Sequence, residues 1–289
     1  GVSAEGPYSS TKELQAKVKV ADITPKLMRL EPSLAWHPIT LKGMGLPSLD
    51  KIGSMYDAMH SYLKRSQVDG VKVDGQAMVT MMGAGLGGRT AATRSFIQAM
   101  EASVVKHFGT GANCINGMCH PTECLYAYKA TSVGRAGDDY KPTAPWGYAR
   151  HVTNVAFNSF FIGEIVQPDW DMFQSAREDG ALQACARAVG GCAVYVSDEP
   201  GKHDFGVLRR VVLADGGVLR ARLPGRPTRD CLFADVRRDA RSALKIWNLN
   251  RCNGLVAAFN LQEPPAPPKG LQGSFGRDLG AGWGGEVTA

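Results

Sequence analysis

The spacing of hydrophobic positions changes repeatedly along this chain. Over residues 49–65, Ile52, Met55, Tyr56, Met59, Tyr62 and Leu63 recur at helical spacing and predict an amphipathic helix. Residues 68–76, VDGVKVDGQ, are short and β-branched and predict a buried strand ending at Asp74 and Gly75. A helix follows over 76–82. Another spans 90–108, with Phe96, Ile97, Met100, Val104 and Phe108 as its buried face. Strands are expected at 114–118, ending at Cys119-His120, and at 131–134, ending in Arg135-Ala136-Gly137-Asp138-Asp139. A short helical piece at 126–130 separates them. Residues 151–161 read as helix, and 161–167 run into Pro168-Asp169-Trp170-Asp171. An Ala-rich helix at 182–189 and a strand at 192–196, ending in Ser197-Asp198, complete the series.

Strands alternating with helices are the rhythm of a parallel barrel or a doubly wound sheet. Polar and acidic residues gather just after the strands, where a βα-barrel places its chemistry. About five strand units are visible, whereas a closed barrel of this kind has eight. After Asp204 the pattern becomes short β-type runs at 207–213, 218–223, 244–249 and 255–261, separated by turn residues such as Asp215-Gly216-Gly217. The expected organisation is an irregular connection over 1–48, with a weak helical pattern at 11–20. A partial (β/α)8 barrel follows over 49–204, then a small antiparallel β domain over 205–262 and a Pro/Gly-rich tail over 263–289.

Composition narrows the class. A hydrophobic fraction of 44% and a charged fraction of 21% are those of a globular protein. The formal net charge of +6 comes from dispersed residues, apart from pairs such as Arg209-Arg210 and Arg237-Arg238. That is a solvated surface and gives no reason to expect a nucleic-acid partner. Seven scattered Cys, an odd number, suit reduced thiols of the cytosol or a plastid stroma better than a disulfide framework. No apolar run approaches membrane-spanning length, so no membrane partner is expected. The chain opens on Gly1 without a signal peptide, and an N-terminus further upstream is expected.

Asp74 and Asp139 are the leading candidates for chemistry. Each closes a predicted strand, and two carboxylates flanking a bond are what glycoside cleavage requires, one attacking and one protonating. The competing reading of Asp74 is a helix N-cap. Lys72 shares the face of Asp74 on a strand, where a cation favours an ionised nucleophile; an ordinary ion pair is the alternative. Gly83-Ala84-Gly85-Leu86-Gly87-Gly88 matches a dinucleotide fingerprint, but a helix precedes it where a strand is needed, so it reads as a mouth-lining loop. Cys114, Cys119, His120 and Cys124 lack the spacing of a zinc site and read as buried thiols. Asp169-Trp170-Asp171 combines a ring that can stack on a pyranose with carboxylates that accept its hydroxyls; a capped turn with a buried Trp explains it equally well.

The segments VDGVKVDGQ, GAGLGGRTAATRSFIQAMEAS, INGMCHPTE, GRAGDDY, AFNSFFIGEIVQPDWDMFQS, AVYVSDEPGKHDF, LRARLPGRPTRDCLFADVRRD and LKIWNLNRCNG occur in that order. Together they resemble plant and algal raffinose synthase-like proteins of glycoside hydrolase family 36, most of all the seed imbibition branch. These are known as galactinol–sucrose galactosyltransferases or alkaline α-galactosidases. The resemblance covers most of residues 40–262. It implies a (β/α)8 barrel with a C-terminal β domain, and a large β domain in front that this chain lacks, along with the first barrel strands. It implies Asp74 as nucleophile and Asp139 as acid/base. It also implies that Lys72, Arg135 and Asp138 hold substrate hydroxyls or tune the carboxylates, and that Cys119, His120, Asp169, Trp170 and Asp171 line the sugar site. The expected activity is retaining α-galactosyl transfer from galactinol to sucrose, forming raffinose, without metal or organic cofactor. Hydrolysis of raffinose-family sugars at the same site is the first alternative, and an inactive fragment or sugar-binding remnant is the second. The choice of sucrose or water depends on pocket shape and water exclusion, which motifs do not encode, and no motif specifies an oligomeric state. The sequence departs from the family at Gly75, where an aliphatic residue is usual, and at Pro121 and Glu123. Gly280-Ala281-Gly282-Trp283 resembles a later family segment displaced by the Pro-rich stretch.

Overall fold

The computed structural model describes residues 44–82 and 86–264, together with Lys17, Val18, Arg29 and Pro32. The Pro/Gly-rich tail from residue 265 on, residues 83–85 of the glycine loop and most of residues 1–43 lie outside the described residues. The chain is mixed α/β and divides into two compact units, Gly1–Gly134 and Arg135–Ala289. Its described strands include parallel pairs and a separate antiparallel sheet of three strands.

In the first unit, Lys17–Val18 (β1) pairs antiparallel with Met44–Gly45 (β2), inside the stretch whose sequence pattern is weakly helical. The predicted amphipathic helix is Ile52–Arg65 (α1), with Lys64 and Arg65 in its last turn, where the macrodipole favours cations. It is followed by Val71–Val73 (β3) and Gln76–Met82 (α2). Arg89–Phe108 (α3) buries Phe96, Ile97, Met100, Val104 and Phe108, the face that the periodicity predicts. It packs on α1, where His60 Nδ1 lies 2.9 Å from Ser103 Oγ. Gly111–Asn116 (β4) runs parallel to β3, with Val71 opposite Cys114 and Val73 opposite Asn116. The strand therefore stops before Gly117, earlier than the apolar pattern suggests, and Met118 turns the chain with φ 48°. The expected helical piece at 126–130 lies earlier, at Thr122–Leu125 (α4), because Pro121 supplies the extended entry from which the turn begins. Thr131–Arg135 (β5) then pairs parallel with β4 through Ile115–Val133 and Asn116–Gly134.

Entry into β5 is fixed by a residue the sequence pattern does not single out. Glu101, on the buried side of α3, accepts hydrogen bonds from the backbone N–H of Lys129, Ala130 and Thr131 and from Thr131 Oγ1, at 2.8–3.1 Å. Several charge-assisted bonds converge on one buried carboxylate. Glu101→Ala strips them all, and is expected to cost about 3 kcal/mol of unfolding free energy. Urea denaturation checks this; a loss under about 1 kcal/mol would mean water replaces the carboxylate without penalty.

In the second unit, Gly147–Ile162 (α5), Gln167–Asp169 (β6) and Gly180–Gly190 (α6) carry most of the core. Val152, Val155, Trp170, Val189, Leu244, Ile246, Phe259 and Leu261 form one buried cluster. The antiparallel strands Leu244–Leu249 (β8) and Gly254–Phe259 (β9) therefore build onto the same core as the helices. Arg226–Pro227 (β7) is an edge strand, where a Pro is tolerated because no ladder donor is needed. Three expected strands differ. Residues 207–213 fold instead as Phe205–Leu208 (α7) and a 3₁₀ turn at Arg209–Val211, because the Asp204 side chain caps them by accepting from Gly206 N and Val207 N. Residues 218–223 keep a single bridge, Val212–Val218, after the turn at Gly216. Residues 192–196 are bridged only at Val196, parallel to Phe173. β-Branched residues favour extension, but a ladder needs a neighbour along its whole length.

Candidate active site

The predicted site residues sit at the ends of parallel strands, and each unit holds its own set. In the first unit, Asp74 follows β3 directly and is solvent-exposed, as is Lys72. Its Oδ1 accepts from Gly75 N at 2.8 Å. Gly75 has φ +73°, a conformation an aliphatic residue would hold only under strain; this is the physical sense of glycine where the family resemblance leads one to expect an aliphatic side chain. Gly117 donates to Val73 O at 2.8 Å and lies across from the carboxylate. A Cβ at Gly117 would stand 2.6 Å from Asp74 Oδ1 and 3.1 Å from Asp74 Cα.

Beside this strand end runs a buried polar ladder. Gln76 Nε2 donates to Val73 O and Asn116 Oδ1, each at 2.9 Å. Asn116 Nδ2 donates to Thr131 Oγ1 and Val133 O, each at 3.0 Å, and Tyr128 OH donates to Gln76 Oε1. The ladder ties β3, β4 and β5 together just below Asp74. An amide at the end of a strand, another at the start of a helix and a phenol in a loop carry no motif, so sequence reasoning passes over them. Cys119 is buried while His120 is exposed. Cys114 and Cys124 are also buried, and burial pushes both thiols up to about 12. They behave as small core side chains.

The close approach of Gly117 gives a direct test. Gly117→Ala is expected to push the Asp74 carboxylate aside; if Asp74 is the nucleophile that the family resemblance implies, turnover falls about a hundredfold while binding of a non-reacting galactoside is kept. Steady-state kinetics beside calorimetric binding checks this; unchanged turnover would mean Asp74 has no fixed position to lose.

In the second unit, one guanidinium organises four acidic residues. Arg135 ends β5 and is buried. Its Nη2 lies 2.8 Å from Asp171 Oδ2 and 3.2 Å from Asp139 Oδ1, and its Nε lies 3.6 Å from Asp169 Oδ1. The same Nη2 donates to Asp138 O at 3.1 Å. Asp138 and Asp139 are exposed, and Asp138 accepts from Asp139 N and pairs with Lys141 at 2.8 Å. Asp169 and Asp171 are wholly buried. Burial raises the Asp169 pKa, against the opposing pull of the Tyr195 hydroxyl, which donates at 2.8 Å, and of Arg135. Asp171 Oδ2 also accepts from Tyr140 N at 2.8 Å. The arrangement joins a solvent-facing carboxylate, Asp139, to a buried acidic pair through one fixed cation.

Trp170 is placed as a core side chain. It is fully buried, donates from Nε1 to Ser159 Oγ at 3.2 Å, and its indole fills the space a Cβ at Gly190 would need, at 2.9 Å. Of the two readings of Asp169-Trp170-Asp171, this burial is that of a packed Trp with its flanking carboxylates turned toward Arg135. The sequence reading missed Tyr195, Arg187 and the Ser175–Asp198 pair, in which Ser175 N and Oγ donate to Asp198 at 2.7 and 2.6 Å. A Tyr in a β-branched run and an Arg in an Ala-rich helix give no local signal.

His151, on α5, is buried beside Tyr140, with ring centroids 6.1 Å apart. Burial first, then the charges of Arg187 and Arg135, hold its pKa well below the usual value of 6.5. The folded protein thus binds fewer protons here than the unfolded chain, so stability is complete above about pH 6.5 and falls as pH drops through that value. His151→Phe is expected to flatten this dependence in thermal melts between pH 7 and 5; an unchanged slope would place the acid sensitivity elsewhere.

Residues 3–266 match the family model described as raffinose synthase or seed imbibition protein Sip1. The chain belongs to this family. Among its members, the chain is 47% identical over 251 residues to the probable galactinol–sucrose galactosyltransferase 6 of Arabidopsis thaliana, covering 87% of this chain and 33% of that protein. It is 47% identical over 254 residues to the probable galactinol–sucrose galactosyltransferase 1 of the same plant, covering 88% and 34%. With the galactinol–sucrose galactosyltransferase of Oryza sativa subsp. japonica it shares 40% over 256 residues, covering 86% and 33%. The chain spans about a third of the length of these curated relatives. Among the described residues, no helix is long and apolar enough to cross a membrane.

Proposed function

We propose that this chain carries the catalytic part of a retaining α-galactosyltransferase that moves galactose from galactinol to sucrose. The observation that carries the reading is positional: within its own unit, each of Asp74, Asp139, Asp169 and Asp171 stands at or just beyond the C-terminal end of a strand, the position at which a (β/α)8 barrel carries its chemistry. Membership in a family whose relatives are named for this transfer supports it. In this reading the strands β3 to β6 are part of such a barrel, with β7 to β9 as its C-terminal β domain.

Asp74 attacks the anomeric carbon of the donor galactose while Asp139 protonates the departing oxygen of the inositol. The covalent galactosyl-enzyme is then opened by a sucrose hydroxyl, whose proton Asp139 takes back. Arg135 holds Asp139 in place, and Lys72, Asp138 and His120 line the sugar site, while the buried Cys119 packs as a core side chain. Two carboxylates suffice for this chemistry, so no metal or organic cofactor is invoked. Abundant reduced thiols fit the cytosol or a plastid stroma. Incubating the natural full-length protein with galactinol, with and without sucrose, tests the reading. Raffinose formed only with sucrose supports transfer. Free galactose in equal amount with or without sucrose makes it a hydrolase, and no cleavage of galactinol by a folded protein overturns the catalytic reading.

A further inference from the structure

We infer that Arg187 is a positioning residue for the acid/base Asp139, acting through the main chain of the turn Trp170-Asp171-Met172. The inference rests on the assignment of Asp139 proposed above. Arg187 lies on α6 and is completely buried. Its guanidinium is spent on three successive carbonyls: Nη2 donates to Trp170 O at 2.8 Å and Met172 O at 3.0 Å, and Nε to Asp171 O at 3.1 Å. Its Nη1 donates to Gln183 O and to Gln183 Oε1. Among the described residues, no carboxylate lies within ion-pair distance of it. The charges of Asp171 and Asp169 favour this buried cation from beyond ion-pair distance, and a rigid fork of donors is what distinguishes Arg from other side chains in such a place.

What the fork holds is a backbone that would not hold itself. Asp171 has φ +62°, an uncommon conformation for a residue with a side chain. That conformation turns the Asp171 carboxylate to Arg135 Nη2 and to Tyr140 N, each at 2.8 Å. Arg135 Nη2 in turn lies 3.2 Å from Asp139 Oδ1, and Tyr140 is the residue next to Asp139. The Arg187 guanidinium also lies over the Tyr140 ring, 6.0 Å from its centroid, and over Phe173 at 5.5 Å. Both routes from Arg187 therefore end at the segment that carries Asp139, and both run through buried residues before they reach that exposed carboxylate.

A residue that places the acid/base should matter in proportion to how much the leaving group needs a proton. The inositol of galactinol departs as an alkoxide unless protonated, whereas the nitrophenolate of a nitrophenyl α-galactoside leaves without a proton. In the natural full-length protein, Arg187→Lys is expected to lower kcat/KM for galactinol about ten- to a hundredfold, the scale of a small misplacement. It should change kcat/KM for the nitrophenyl galactoside less than about threefold. A merely structural residue would lower both together, and that parallel loss, or no loss in a folded variant, overturns the inference. Gln183→Leu, which removes the side-chain acceptor of Nη1 and leaves it only the carbonyl of residue 183, should give the same split at smaller size; it decides the matter if the Lys variant does not fold. Asp139→Asn is measured alongside. If it lacks the split, the acid/base assignment itself fails; if it has the split and the Arg187 and Gln183 variants do not, only the positioning role fails.

Discussion

Asp74→Asn is expected to reduce galactosyl transfer from galactinol by about 10⁴-fold or more, the scale seen when a covalent nucleophile is removed. The side chain is exposed and the substitution is isosteric, so the melting curve should be unchanged. The amide can still accept from Gly75 N, which keeps the local turn intact. Transfer assays with galactinol and sucrose, beside thermal unfolding, separate lost chemistry from lost fold. A variant that kept more than about a tenth of the activity would remove Asp74 from the nucleophile role. Chemical rescue sharpens the test in a truncated variant, Asp74→Gly: a small external nucleophile such as azide should restore cleavage of an activated galactoside, because the space left by the carboxylate admits the anion beside the anomeric carbon.

Arg135→Met should be the most destabilising single change in the second unit. It leaves Asp169 and Asp171 buried without the guanidinium that lies 2.8 Å from one and 3.6 Å from the other. Breaking a buried pair by removing one partner typically costs about 3–5 kcal/mol, because the remaining charge has no counterion. The loss should depend on pH with a definite sign. Asp169 already has a raised pKa in the folded protein, from burial, and losing Arg135 removes an influence that holds it down. The folded variant then binds more protons than its unfolded chain, so its deficit is greatest near neutral pH and shrinks as pH falls through the raised value. Urea titrations at pH 7 and pH 5 check both parts. A loss that is small, or that grows on acidification, would mean the acidic pair is stabilised by Tyr195 and backbone donors rather than by Arg135.

The two predictions draw on different kinds of legibility. Asp74 stands out because a β-branched run ends there, and the helix that follows, Gln76–Met82, appears where expected. The buried face of α3 is as predicted because five apolar residues at helical spacing leave one way to turn the helix. The coarse α/β class follows from that alternation of periods. The strand expected at 207–213 failed because an Asp one residue before Phe205 can cap a helix, and capping by Asp204 outweighs the extension favoured by Val and Leu.

The sequence by itself determined the main helices, several of the strands, the positions of the strand-end acids and the family to which the chain belongs, because these depend on side-chain order over short distances. Only the tertiary structure decided that Trp170 packs into the core against Gly190, that Glu101 anchors the entry to β5, and that Arg135 and Arg187 hold one acidic turn from two sides. Each of these joins residues tens of positions apart. Burial is what gives them force: a guanidinium or carboxylate removed from water must find partners, and those partners are chosen by the packing of helices and strands rather than by neighbours in the chain.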